Sequence, residues 1–161
     1  MKHRSIGWVL VAPALALIGL FVLLPGVLAL VGSLFRIDLG DRTLRFTAHP
    51  SAHTPTDLSM IDSGSGLLFT GDLLSVGRIP SLDGSLVGWL KEADRLRAMG
   101  ATKAVPGHGP RLVDVAPALD DLTRYLTILR DETRKAIVAD VPIEKAVRTV
   151  AQSERDRWVL F

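Results

Sequence analysis

Two histidines and one aspartate stand where short strands are expected to end. His53 precedes a Thr-Pro-Thr segment, Asp72 follows a glycine, and His108 lies between two glycines. Glycine and proline in such places make turns and end strands, so these side chains are expected at the rim of a sheet. Imidazole nitrogen and carboxylate oxygen together suit zinc or a similar divalent ion. The sequence therefore predicts a metal site formed by His53, Asp72 and His108.

A predicted hairpin would bring two of these ligands together. Residues 58–62 and 67–70 are short apolar runs, and the Ser-Gly-Ser-Gly segment between them has turn chemistry. A turn centred in that segment places Asp72 opposite Asp57, with His53 approaching from the same open end. Asp57 has two interpretations: it hydrogen-bonds the loop that holds His53, or it only begins the strand.

Helices and strands of an α/β domain surround this stretch. Residues 44–48 alternate as a strand, and His49 after them is expected to be an exposed loop residue. A helix is predicted from an N-cap at Asp83 to a stop at Gly100, with Trp89 packed in the core and Glu92 on its solvated face. Residues 102–106 then form a strand that leads to His108.

Two further helices complete the expected fold. The first runs over residues 115–139, with an apolar stripe facing the sheet. A second helix is predicted to begin near residue 141, with its own apolar side turned inwards. The stripe of the longer helix consists of Leu119, Leu122, Leu126, Leu129 and Ile137; the inner side of the shorter one consists of Ala146, Val147 and Val150.

The first 40 residues differ in character from the rest. Residues 6–34 contain no charged side chain, which makes them a candidate membrane span. A cleaved signal peptide is the alternative, although its apolar region is usually only about 7–15 residues long. Lys2 and Arg4 outweigh Arg36 by one charge, which favours a cytoplasmic N-terminus and an extracytoplasmic, periplasmic remainder. The expected division is therefore a membrane-spanning segment, residues 1–40, and a soluble domain, residues 41–161.

Charge and composition exclude several classes of function. Residues 41–161 hold sixteen basic and sixteen acidic side chains, so the basic pI does not indicate a nucleic-acid surface. The chain has no cysteine, which excludes disulfides and thiol nucleophiles. It also lacks a P-loop, a dinucleotide-binding glycine motif and the Gly-x-Ser-x-Gly elbow of serine hydrolases.

The stretch from His53 to His108 resembles the C-terminal half of the metallo-β-lactamase fold hydrolases. The resemblance covers about residues 43–161 and consists of His53, Gly-Asp at 71–72 and Pro-Gly-His-Gly at 106–109, in the family's order. Among these hydrolases, the chain is most similar to the zinc metallohydrolases associated with quinoprotein systems, which share the Gly-Arg-x-Pro-Ser-Leu segment at 77–82. Residues 8–35 are similar to the first transmembrane helix of sugar-type ABC transporter permeases.

The resemblance implies the C-terminal half of an αββα sandwich that binds one or two zinc ions. His53 would serve the first ion, Asp72 would bridge, and His108 would serve the second, while Arg78 would border the cleft and contact an anionic group. The alternative for Arg78 is a solvated side chain. The family's first metal motif, H-x-H-x-D-H, does not occur in residues 1–161, so the aspartate that acts on the attacking water has no counterpart here.

Three hypotheses of function remain open from the sequence. The first is a membrane-anchored, incomplete zinc-dependent metallo-hydrolase that depends on a partner chain for the first motif and acts on an unknown small-molecule substrate. The second is a non-catalytic, membrane-tethered module or a degenerate, chimeric gene product. The third is a fragment derived from an ABC permease.

Overall fold

One mixed β-sheet organises the described part of the chain. The computed structural model describes residues 35–159. The strands are β1 (Arg36–Asp38), β2 (Thr43–His49), β3 (Asp57–Asp62), β4 (Leu68–Ser75), β5 (Lys103–His108) and β6 (Val113–Asp114). They lie in the sheet in chain order, and every neighbouring pair is antiparallel except β4 and β5, which are parallel. The sheet thus includes β1, which precedes residue 41, where the sequence predicts that the soluble domain begins.

Helices cover one face of this sheet. They are α1 (Leu86–Ala98), α2 (Val115–Val138), α3 (Ile143–Thr149) and a 3₁₀ helix (Gln152–Arg157). A parallel strand pair needs a crossover, and α1 supplies it between β4 and β5. Helices α1 and α2 pack against each other and against β4. The α/β class predicted from the sequence is confirmed.

The start of α1 differs from the prediction. Its N-cap is Ser85, whose side chain accepts a hydrogen bond from the Gly88 amide. The predicted N-cap, Asp83, instead donates its backbone amide to the carbonyl oxygen of His53 over 2.9 Å. Both residue types favour helix caps, so the contact with the His53 loop, which the sequence does not reveal, decides between them.

The core lies between the sheet and the two long helices. Trp89 of α1 is fully buried, and its indole N–H donates to the Leu73 carbonyl oxygen over 2.9 Å. Buried indole groups usually require such a partner. The packing role predicted for Trp89 is confirmed. The other fully buried apolar side chains include Leu68, Leu73, Leu74, Leu96, Leu119 and Leu122.

The apolar stripes of the two C-terminal helices are only partly buried. On α2, the stripe is buried through Leu126, but Ile137 in the last turn is 71% exposed. Val147 of α3, predicted to face inwards, is 69% exposed, which corrects that expectation. The 24 residues of α2 extend roughly 36 Å. The eight residues of β4 span only about 26 Å. The end of α2 therefore extends beyond the sheet.

The sheet has a second, apolar face on the side opposite α1. Phe46, Met60, Phe69 and Val105 are successive cross-strand partners, so their side chains share this face. The ring of Phe35 packs on that of Phe46, with centroids 5.5 Å apart. None of these residues belongs to the core that the helices cover. We call them, with Ile37, Leu44 and Leu58, the open sheet face, because the core formed by the helices between residues 35 and 159 does not include them.

The C-terminal segment is anchored by a buried carboxylate. Glu154 is 2% exposed and accepts hydrogen bonds from the Arg124 guanidinium and the Trp158 indole over 3.0 to 3.3 Å. Beyond this anchor, Val159 forms an isolated bridge with Arg78, in which the Val159 amide donates to Gly77 and its carbonyl accepts from Ile79. The anchor therefore holds the segment that contacts the 77–79 loop.

The predicted membrane span, residues 6–34, lies outside the described residues. Between residues 35 and 159, none of the helices has the length and apolar character that a membrane crossing requires.

A glycine in α1 provides a test of the packing against the 50–56 loop. A Cβ atom at Gly88 would lie 2.0 Å from the Ser51 carbonyl oxygen. Replacing glycine by alanine inside a helix normally stabilises it by about 1 kcal/mol. Here Gly88→Ala is expected to lower the free energy of unfolding by roughly 1–3 kcal/mol, because of overpacking. The measurement is urea unfolding, with the exposed Lys91→Ala on the same helix as control; a Gly88→Ala protein at least as stable as its parent would contradict the packing.

The anchor at Glu154 predicts a pH dependence of stability. Burial would raise the pKa of Glu154, but hydrogen bonds from Arg124 and Trp158 outweigh it and hold the pKa below its usual value of 4.5. A carboxylate with a depressed folded-state pKa stabilises the fold above the unfolded pKa, and this contribution is lost as the pH falls through the folded value. Glu154→Gln is expected to cost about 1–3 kcal/mol at pH 7.

Unfolding of the Glu154→Gln protein should also depend less on pH below 4.5, the usual glutamate value. The control is Asp121→Asn, which alters the exposed partner of the same Arg124 and should change stability by only about 0–1 kcal/mol. Parallel pH profiles for the parent and the Glu154→Gln protein would refute the anchoring role.

Candidate metal centre

Asp72 is presented by an irregularity in β4. The pairing of β4 with β5 shifts register on both sides of Gly71, which has a φ of 52°. A bulge of this kind bends a strand and re-aims its side chains, and a glycine adopts positive φ without strain. Asp72 is consequently exposed in a strand whose next three residues are buried. This explains why a glycine precedes the aspartate.

His108 ends the neighbouring strand and meets Asp72. The His108 Nε2 atom lies 3.4 Å from an Asp72 carboxylate oxygen. Gly107, which precedes His108, has no room for a side chain, because a Cβ atom there would lie 2.2 Å from that same carboxylate oxygen. The Pro-Gly-His-Gly segment thus allows β5 to approach the bulge closely enough for the two ligand types to be neighbours.

His53 lies in the loop between β2 and β3, and α1 holds that loop. The Asp83 amide donates to the His53 carbonyl, and the Ser85 amide donates to the Ala52 carbonyl over 2.8 Å. The His53 ring also contacts Trp89 edge to face, with centroids 5.2 Å apart. The backbone and the side chain of His53 are therefore both fixed by the segment that leads into α1.

Asp57 closes the same loop from its other end. Its carboxylate accepts the Thr54 amide over 3.0 Å and the Thr54 hydroxyl over 2.8 Å. One of its oxygens lies 3.6 Å from His53 Nδ1. The pairing of β3 with β4 confirms the predicted hairpin and ends at Met60 and Phe69, so the placement of Asp57 opposite Asp72 stays a prediction. Of the two interpretations of Asp57, the structure supports the one in which it holds the loop.

The three predicted ligands line one pocket of about 180 Å³. His53 Nε2 lies 3.3 Å from the Ser81 hydroxyl, and Ser81 belongs to the same lining. Arg78 is exposed at the pocket, and its carbonyl oxygen accepts the Ser75 hydroxyl over 2.8 Å. The serines were not predicted, because no sequence pattern marks a hydroxyl as pocket-lining. The complete lining is His53, Asp72, Ser75, Arg78, Ile79, Pro80, Ser81 and His108.

The donor set suits zinc in chemistry but does not complete a coordination sphere. The Nδ1 atom of His53 is buried without a hydrogen-bond partner and faces Asp57, whereas Nε2 lies on the pocket side. A ligating histidine typically has this arrangement, with its second nitrogen directed at a carboxylate. Within residues 35–159, however, no three histidine, aspartate or glutamate side chains converge closely enough to hold one ion. The described residues fit part of a metal site.

His49 is buried, which corrects the expectation of an exposed loop residue. It ends β2 and is 1% exposed. Its Nδ1 atom lies 2.7 Å from the Glu92 carboxylate, and its Nε2 atom lies 2.7 Å from the Ser59 hydroxyl. Glu92 is 4% exposed, so the prediction that it belongs to the solvated face of α1 is wrong. No local pattern could reveal this contact, because the two residues are 43 positions apart.

Solved structures with a similar fold are metallo-β-lactamase-type proteins. A metallo-beta-lactamase from Pontibacter korlensis is 24% identical with a TM-score of 0.51, over 58% of this chain and 45% of its own. A metallo-beta-lactamase family protein from Thermus thermophilus is 22% identical with a TM-score of 0.52, over 61% and 35%. A beta-lactamase domain protein from Burkholderia ambifaria is 23% identical with a TM-score of 0.53, over 63% and 34%. These similarities show the fold.

The chain spans less than half the length of these three proteins. No curated protein matches it significantly. The family model described as the metallo-beta-lactamase superfamily matches residues 8–108, which is more than half of the 161 residues. His53, Asp72 and His108 all lie within the matched range. By this match and by its fold, the chain belongs to the metallo-beta-lactamase superfamily.

Proposed function

We propose that the chain carries part of the active site of a zinc-dependent hydrolase. The observation that carries the proposal is the single pocket that His53, Asp72 and His108 line together. Members of the superfamily are generally hydrolases, and the Gly-Arg-Ile-Pro-Ser-Leu segment at 77–82 favours the zinc metallohydrolases associated with quinoprotein systems. The substrate class stays open, because a fold does not determine its substrate.

Each residue of the pocket has a defined task in this proposal. His53 would offer Nε2 to an ion while its Nδ1 faces the Asp57 carboxylate, and Asp72 and His108 would offer an oxygen and a nitrogen from β4 and β5. A bound zinc ion would supply a water with a pKa near 7 and would polarise a carbonyl or phosphoryl group. Arg78 at the rim would bind an anionic group of the substrate through its guanidinium.

The remaining ligands are proposed to come from a partner polypeptide. Catalytic zinc sites typically use three protein ligands and a water molecule, and the first metal motif of the family does not occur in this sequence. The open sheet face supports the proposal, because sheets pack face to face through apolar side chains about 10 Å apart. A partner that carries the first motif on a second sheet would bury this face and complete both the sandwich and the site.

A second candidate is a non-catalytic module that retains the fold. It is favoured by the absence of any three-ligand cluster between residues 35 and 159. Two ligands per ion would bind zinc weakly, and stabilisation by the metal would weaken with them. The two candidates differ in the metal that the purified chain binds.

Zinc content of the purified full chain tests the proposal. A real part-site is expected to hold close to one ion per chain in equilibrium with excess zinc, and His53→Ala or His108→Ala should abolish this binding, because each removes a nitrogen ligand. The measurement is inductively coupled plasma mass spectrometry after equilibrium dialysis. His3→Ala is the matched control, since it alters a histidine outside the three motifs. A metal-free parent, or a metal content unaffected by the two substitutions, would support the non-catalytic module instead.

We propose separately that residues 6–34 anchor the chain in the cytoplasmic membrane, with the domain on the periplasmic side. Support comes from the absence of charge in this segment and from Lys2 and Arg4 before it. In a bacterial host, the full chain is expected to stay with membranes through an alkaline carbonate wash. Added protease should digest its C-terminal domain in spheroplasts. Release by the wash, or protection of the domain until the spheroplasts are lysed, would contradict this topology.

A further inference from the structure

Three buried polar side chains form a continuous hydrogen-bonded chain beside the His53 loop. Glu92, His49 and Ser59 are 4%, 1% and 2% exposed. The imidazole of His49 bonds the carboxylate of Glu92 on one side and the hydroxyl of Ser59 on the other, at 2.7 Å in each case. Arg95 adds a hydrogen bond to the same Glu92 oxygen over 3.2 Å. We call Glu92, His49 and Ser59 the buried relay.

The buried relay is not explained by catalysis or by packing alone. Its hydroxyl, imidazole and carboxylate follow one another as in the catalytic triad of a serine hydrolase. Ser59 is buried, however, so its hydroxyl cannot contact a substrate. Burial of such groups costs free energy even when they are paired, and apolar side chains of similar size often serve as well or better. A role in specifying geometry would account for the polar side chains.

The position of the buried relay indicates that it holds the 50–56 loop in place. His49 is the last residue of β2 and Ser59 lies on β3, so their bond links the two strands that flank the 50–56 loop. Glu92 ties this link to α1. One and two turns earlier on the same helix face, Gly88 contacts the Ser51 carbonyl and Ser85 binds the Ala52 carbonyl. Helix α1 and its N-cap thus contact the 50–56 loop at Ser51, Ala52 and His53.

We infer that Glu92 and His49 are positioning residues that hold His53 in the orientation required of a metal ligand. The inference rests on the proposed function, since it concerns the ligand that the function needs. Neither residue reaches the pocket, and both act through the loop. Residues that orient a ligating histidine typically change metal affinity about 10- to 100-fold when they are removed.

The test separates positioning from stability in the full chain. The double variant His49→Leu/Glu92→Met replaces the buried pair with apolar side chains of similar size, and Glu92→Gln retains an oxygen that can accept a hydrogen bond from His49 Nδ1. Asp94→Asn, at an exposed position of the same helix, is the control. For each protein, zinc affinity is measured by chelator competition, and amide hydrogen exchange is measured at Ala52, Asp83 and Ser85, whose amides hold the loop.

In the double variant, exchange at the three loop amides is expected to accelerate at least 10-fold, and the zinc Kd should rise at least 10-fold, about the lower bound for loss of an orienting residue. Exchange in the centre of α2 should remain that of the parent, because the fold is retained. Glu92→Gln should stay close to the parent in both measurements. Unchanged exchange at the loop amides, or an equal acceleration throughout α2, would overturn the inference. A parent that binds no zinc would refute the proposed function, while loop exchange would still report whether the buried relay positions His53.

Discussion

The candidate ligands depend on the packing of α1 against the loop between β2 and β3. This helix is the crossover that makes β4 and β5 parallel, and parallel pairing is what places Asp72 and His108 side by side at one end of the sheet. The same helix holds the loop that carries His53, through backbone contacts too close to allow a side chain at Gly88. A shift of α1 would therefore move both walls of the pocket.

Much of the site could be predicted because its determinants are local. Turn residues between two apolar runs were sufficient to predict the hairpin of β3 and β4, and the strand end at His108 followed from glycine and proline. His49 and Glu92 were predicted wrongly, because a polar residue in sequence is usually a solvated one. Their burial results from a contact between β2 and α1. A contact between segments so far apart in sequence produces no hydrophobic periodicity in either of them.

The two faces of the sheet differ in how their side chains are covered. On the helix side, the buried indole of Trp89 and the buried carboxylate of Glu154 both have hydrogen-bond partners, whereas His53 Nδ1 has none. On the open sheet face, a row of apolar cross-strand partners from Phe46 to Val105 lies apart from that core. The proposed partner would supply both the remaining ligands and the cover for this face.

The coincidence of strand order and chain order has a consequence for folding during synthesis. Between residues 35 and 159, each strand after β1 pairs with the strand before it in the chain, so closing each pair requires only a short loop or the α1 crossover, and local contacts of this kind form quickly. Strands β1 to β4 can therefore associate with one another before β5 joins them, since domains generally fold in the order of synthesis. The bulge that presents Asp72 belongs to the pairing of β4 with β5 and would form only when β5 joins them.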